Sequence, residues 1–139
     1  DRDRALNAYI ASGVSSCHES GGFDEVLTKL RLGMYVQLRY GSAWLNLPGY
    51  LPQLIASGVD TRLCLLCTDD CHPETLVNEG HMDRVLRKAV ELGLDPVTAV
   101  QMATINCAEY FGLARDMGSI TPGKCADIVL LDSLESFGA

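Results

Sequence analysis

The five residues Leu63-Cys64-Leu65-Leu66-Cys67 are uncharged, show no helical stripe, and run directly into Thr68-Asp69-Asp70. A run this short and this apolar has the pattern of a strand buried on both faces, which occurs in parallel sheets covered by helices. Its carboxyl end is the edge where α/β folds keep their chemistry. Asp69 and Asp70, continued by Cys71, His72 and Pro73, are therefore candidate site residues. The plainer reading is that they cap the turn that follows.

A second short β-like stretch, Gly13-Val14-Ser15-Ser16-Cys17, ends in His18-Glu19-Ser20. Two strands of one chain thus finish in an imidazole and in carboxylates. Hydrolases hold divalent metals with such a mixture, each ligand delivered from a different strand end. The same cysteines raise a second possibility. Cys64 and Cys67 spell C-x-x-C and, with Cys71 and His72, suggest a small zinc site. Residues three apart on a strand point to opposite faces, however, which sets Cys64 and Cys67 apart.

The rest of the chain alternates helix with strand. A helix from Arg4 to Ser12 carries Leu6, Tyr9 and Ile10 on one stripe. The next carries Phe23, Val26, Leu27 and Leu30 at i, i+3, i+4 and i+7 and stops at Gly33. Met34 to Leu38 reads as a strand. Leu47, Leu51, Leu54 and Ile55 mark a further helix whose start is obscured by Pro48 and Pro52. After the Leu63–Cys67 strand come a loop and a helix from about Asp83 to Leu92. Asp95-Pro96 restarts a helix carrying Val97, Val100, Met102 and Ile105, and a shorter one ends near Gly112. Alternation of this kind predicts parallel strands joined by helical crossovers. Past Gly118, the turn Thr121-Pro122-Gly123-Lys124 and the strand-like Ala126–Asp132 read as the start of a different, all-β unit.

With 139 residues the chain has room for one modest domain, well short of the roughly 250 residues of a complete (β/α) barrel. A formal net charge of −7 argues against nucleic acid and anionic membrane surfaces as partners. No apolar run approaches the roughly 20 residues of a membrane span. No charged segment precedes an apolar leader, so a cytoplasmic location is expected. Cys17, Cys64, Cys67 and Cys107 sit in apolar segments without framework spacing and read as reduced, buried thiols.

Several longer segments carry a family resemblance. Ser16-Cys17-His18-Glu19, Lys29-Leu30-Arg31-Leu32-Gly33-Met34 and Cys67-Thr68-Asp69-Asp70-Cys71-His72-Pro73 resemble the adenine deaminases of the amidohydrolase superfamily. So do Glu79-Gly80-His81-Met82-Asp83 and the stretch from Gln101 to Leu113. Residues Gly118 to Leu130 are similar to the tail of many amidohydrolases. The chain departs from the family at Arg39-Tyr40-Gly41-Ser42, where Arg-Glu-Gly-Ser is usual, and at Trp44 and Leu45.

The resemblance implies an α/β chain that forms the carboxyl-terminal part of a TIM-type (β/α) barrel, about three βα units over residues 1–117. Residues 118–139 would begin a small flanking β-sandwich domain. It implies that the chain starts after the fifth barrel strand and is inactive alone. In the intact enzyme it implies hydrolytic deamination of adenine to hypoxanthine and ammonia, with a purine substrate and two divalent metal ions. Iron, manganese and zinc are all compatible, and a homo-oligomer is left open. His18 and Asp69 would be metal ligands, and Asp69 would also move protons. Another amidohydrolase, such as a deacetylase or cyclic amidase, and a non-catalytic α/β fragment are the alternatives.

The remaining candidates have two readings each. Glu19 orients a neighbour or caps the following helix, and Asp70 is a supporting or capping acid. His72 and His81 lie in loops at the mouth and contact substrate or simply face solvent. Arg39 and Ser42 position a loop or touch substrate, or simply serve the turn. Asp24, Glu25 and Lys29 read as a solvated helix face.

Overall fold

The computed structural model describes residues 2–134, 136 and 137. Three parallel strands lie side by side in chain order, β1 (Ser16–Cys17), β2 (Tyr35–Arg39) and β3 (Cys64–Cys67). Ser16 pairs with Tyr35, and Val36 through Arg39 pair with Cys64 through Cys67. The expected parallel arrangement is thus formed. β1 is shorter than the Gly13–Cys17 stretch because only its carboxyl end finds a partner, on one side.

Helix α1 (Arg2–Ala11) precedes β1, α2 (Phe23–Arg31) joins β1 to β2, and α3 (Leu47–Ser57) joins β2 to β3. After β3 come α4 (Pro73–Asn78), α5 (Met82–Glu91), α6 (Pro96–Ala103) and α7 (Ile105–Tyr110). α2 ends because Gly33 takes φ +80°, which lets its N–H reach Leu30 O at 3.0 Å and that of Met34 reach Lys29 O at 3.0 Å. α3 tolerates the missing N–H of Pro52 and still buries Leu47, Leu51 and Leu54. α6 starts on a side-chain cap, the Asp95 carboxylate accepting from Thr98 N at 2.9 Å.

The main core cluster lies on one side of the sheet, with Leu65, 3% exposed, buried on the other. Val36 and Leu38 of β2 and Cys64 and Leu66 of β3 pack with Val26 and Leu30 of α2, the three α3 leucines, Val85 and Ala89 of α5, and Ala99 and Met102 of α6. Period-2 alternation places Tyr35, Gln37 and Arg39 on the other side. There Tyr110 of α7 shares a hydrogen bond with Ser16 (2.7 Å) and sets its ring 4.9 Å from Tyr35. Each fully buried leucine stabilises the fold by about 1.5–3 kcal/mol.

Four expectations need correction. α4 lies where a loop was expected, because its apolar residues Leu76 and Val77 are 45% and 83% exposed and leave no stripe to read. The helix begun at Pro96 breaks at Thr104 and turns Ala99 and Met102 inward, leaving Val97 outside. The α1 stripe is only partly covered, Leu6 and Ile10 being half-buried and Tyr9 49% exposed. Residues 126–132, expected as a strand, form none, and Val129 and Leu130 are 70% and 88% exposed. A strand needs a neighbour to donate and accept its backbone hydrogen bonds, and none is present among the described residues. Of the two expected segments, 1–117 and 118–139, residues 1, 135, 138 and 139 lie outside the described residues. Among the described residues no helix is long and apolar enough to cross a membrane.

Candidate functional site

Parallel strands put their carboxyl ends on one edge, so the segments after β1, β2 and β3 meet there. Arg39, the last residue of β2, is 3% exposed and paired in register with Cys67. Its Nη1 donates to Glu19 Oε1 at 2.9 Å and to Asp69 Oδ2 at 2.6 Å, and its Nη2 donates to Glu19 Oε2 at 3.2 Å. Nε donates to the side-chain oxygen of Asn46, and the guanidinium carbon lies 5.2 Å from the centre of the Trp44 ring. Burial would lower the arginine pKa; the hydrogen bonds with Glu19 and then Asp69 outweigh it and hold the group charged.

His18 sits beside this cluster, Nε2 3.7 Å from Glu19 Oε1, with its side chain 46% exposed. Asp69 adopts φ +64°, a left-handed conformation unusual for a residue other than glycine, asparagine or aspartate. That turn separates the two acids. Asp69 faces Arg39, while the Asp70 carboxylate accepts from Ala43 N at 2.6 Å and Trp44 N at 3.3 Å. These donors, Ala43 first, lower the Asp70 pKa. Asp70 O also accepts from Ser42 N at 3.0 Å. Gly41 makes that close approach possible, since a Cβ there would strike the Asp70 carboxylate and come within 2.6 Å of Thr68 O. Asp70 therefore staples the loop after β2.

Ser42 acts in the same staple. Its Oγ donates to Thr75 Oγ1 at 2.8 Å and accepts from His72 N at 2.8 Å, tying the loop to α4. His72 and His81 lie at the amino ends of α4 and α5 with exposed side chains. The structure thus brings Glu19, Arg39 and Asp69 together, leaves His18 in contact with its chain neighbour Glu19, ties Asp70 and Ser42 into the loop after β2, and leaves His72 and His81 exposed at the amino ends of α4 and α5.

One residue at the site was read wrongly from the sequence. Lys29 is 2% exposed, not solvated. Its ammonium donates to Glu19 O (2.9 Å), Ser20 Oγ (3.0 Å) and Cys17 Sγ (3.1 Å), and pairs with Glu25 Oε1 at 2.6 Å. Burial would lower its pKa; hydrogen bonds to Glu25 and Cys17 outweigh this and raise it. The signal was the spacing Val26, Lys29, Leu30, which puts the lysine on the buried face of α2.

The donor chemistry of His18 and Asp69 suits a hydrolytic metal. Yet among the described residues no three His, Cys, Asp or Glu side chains form a group that could hold a metal ion. Arg39 also occupies Oδ2 of Asp69. The described residues therefore do not by themselves make a metal centre. The C-x-x-C zinc site is not formed either. Cys64 faces the core and Cys67 does not, and burial pushes their thiols up to about 12 and about 11. All six cysteines are free.

The family model described as Amidohydrolase family matches residues 50–137. The "Adenine deaminase" of Clostridium botulinum (strain Loch Maree / Type A3) is 50% identical over 132 residues, covering 95% of this chain and 22% of that protein. The "Adenine deaminase" of Moorella thermoacetica is 48% identical over 131 residues, and that of Paracoccus denitrificans 46% over 136. The chain thus spans about a fifth of the length of these curated relatives (22% and 23%, respectively). Among solved structures, an amidohydrolase from Thermotoga maritima MSB8 aligns with a TM-score of 0.49 at 21% identity, covering 81% of this chain and 35% of that one.

Proposed function

The chain belongs to the amidohydrolase family, and on that premise we propose that it is part of an adenine deaminase, releasing ammonia from adenine to leave hypoxanthine. The observation that carries the reading is one cluster. Glu19, Arg39 and Asp69 converge from three parallel strand ends, within a segment about half identical to adenine deaminases over 95% of its length.

Residues 1–117 are proposed as the last three βα units of a TIM-type barrel, and 118–139 as the start of a flanking β domain. The one-sided main core cluster supports this, because a barrel wall carries its helices outside and turns its other face inward. The face bearing Ser16, Gln37 and Arg39 would be that inner face. In the same reading the enzyme is metal-dependent and cytoplasmic, and takes a purine as its small-molecule partner. His18 and Asp69 are the donors this chain would offer to a metal. Any further ligands come from outside the described residues, and no step is derived through the metal.

Two roles are proposed for the acids. Asp69, a third exposed at the mouth, moves a proton toward the departing amino group. Asp70 keeps the neighbouring loop in place. In the complete enzyme, Asp69→Asn should cut adenine turnover by about a hundredfold or more, on the scale of a lost general acid–base. Asp70→Asn should act less on turnover than on stability. Ammonia release by both variants is the measurement, and a larger turnover defect in Asp70→Asn would overturn the assignment.

A further inference from the structure

Glu19 and Asp69 come from different strands, and Arg39 on the strand between joins them. The exposures are graded. The Arg39 side chain is 4% exposed, whereas Asp69 is 33% and Glu19 69% exposed. The cation therefore forms a floor, and the two acids stand above it at the mouth. Each nitrogen of the guanidinium is committed: Nε to Asn46, Nη1 to both acids, Nη2 to Glu19. One face of the group also lies against Trp44. A planar fork held at its root by Asn46 and on its face by an indole has one orientation, and it passes that orientation to whatever accepts its hydrogen bonds.

We propose that Arg39 is a positioning residue: it sets the placement of the Glu19 and Asp69 carboxylates relative to one another while itself remaining out of reach of substrate. The proposal rests on the reading of this chain as part of an adenine deaminase. Lysine cannot substitute, because a single ammonium offers a point charge where the site uses a fork serving two acids at once.

The test uses the complete deaminase that carries this segment. Arg39→Lys should lower kcat by about a hundredfold, the cost of catalytic groups misplaced by an ångström, while KM stays within about threefold. In Arg39→Ala, added guanidinium chloride should restore part of kcat and ammonium chloride should not, a difference that a general loss of packing would not produce. Asn46→Ala removes the Nε acceptor alone, since α3 takes no side-chain cap from Asn46. It should lower kcat by about tenfold with unchanged unfolding temperature. Arg39→Lys within threefold of the parent, or Arg39→Ala rescued equally by both salts, would overturn the proposal. If the Arg39 variants do not fold, an unchanged kcat in Asn46→Ala overturns it. A parent enzyme that releases no ammonia from adenine overturns instead the function on which the proposal rests.

Discussion

At the strand ends Lys29 and Arg39 are 2% and 3% exposed, whereas Ile120, Val129 and Leu130 of the tail are 87%, 70% and 88% exposed. Hydropathy alone predicts the reverse of both. The difference lies in partners. Every polar hydrogen of the Lys29 ammonium has an acceptor, and among the described residues no buried side-chain nitrogen or oxygen lacks one. A buried cation so surrounded is tolerated, and its removal is what costs. The tail has the apolar pattern of a strand but no neighbour to pair with among the described residues, so Ile128, Val129 and Leu130 stay in water.

The largest expected effect is on activity. If the strand-end cluster is one part of a larger site, the isolated 139-residue chain should release no measurable ammonia from adenine, whereas the complete enzyme should. Turnover by the isolated chain would show that the strand ends alone suffice. It would break the contrast between a finished cluster and an unfinished surround.

Next comes the buried lysine. Lys29→Met keeps the length and apolar stem of the side chain but removes the ammonium from Ser20 Oγ, Cys17 Sγ and Glu19 O, while Glu25 keeps its hydrogen bond from Gly21 N at 3.1 Å. Because Glu25 is 35% exposed and stays solvated, the loss is that of buried acceptors deprived of a donor, about 1–3 kcal/mol. Urea unfolding of the chain measures it. A loss below about 1 kcal/mol would place Lys29 among ordinary surface ion pairs.

Lys29 also marks the limit of what the sequence discloses. The three strands, their parallel order and the helices after β1, β2 and Asp95 follow from apolar periodicity, glycine stops and a cap, all of which are local. Lys29 carries a positional signal, but its residue type argues for water until its acceptors are known. Asp70 is legible as a strand-end acid. Its work as a staple depends on N–H groups 26 and 27 residues away in sequence. Trp44 and Asn46 against Arg39 are likewise products of how the loop closes. α4 leaves no sequence signal because it packs little, and the tail has strand propensity without a strand because propensity is local while pairing is not.

A third test turns the contrast on the tail. In the isolated chain Leu130→Ser should change stability by no more than about 0.5 kcal/mol, as for a surface substitution. In the complete enzyme, where the tail is proposed to join a β domain, the same change should cost about 1.5–3 kcal/mol, the value of one buried leucine. Equal small effects in both settings would mean that Leu130 stays exposed in the whole protein.

The smallest effect concerns a charge of the ordinary, solvated kind, the control for Lys29. Asp95 caps α6, and its carboxylate accepts from Thr98 N and Thr98 Oγ1, each at 2.9 Å. The Thr98 N–H, and then the hydroxyl, lower its pKa below the usual carboxylate value. A group whose folded pKa is depressed stabilises the fold fully above its unfolded value, about 4, and loses that contribution as pH falls through the lower folded value. Asparagine caps a helix about as well but does not titrate. The stability of the wild type relative to Asp95→Asn should therefore be greatest near neutral pH and fall away in acid. Thermal unfolding of both proteins between about pH 7 and pH 2.5 measures the difference. A difference that stays constant across that range would mean that the ionised form of Asp95 adds nothing beyond a neutral cap.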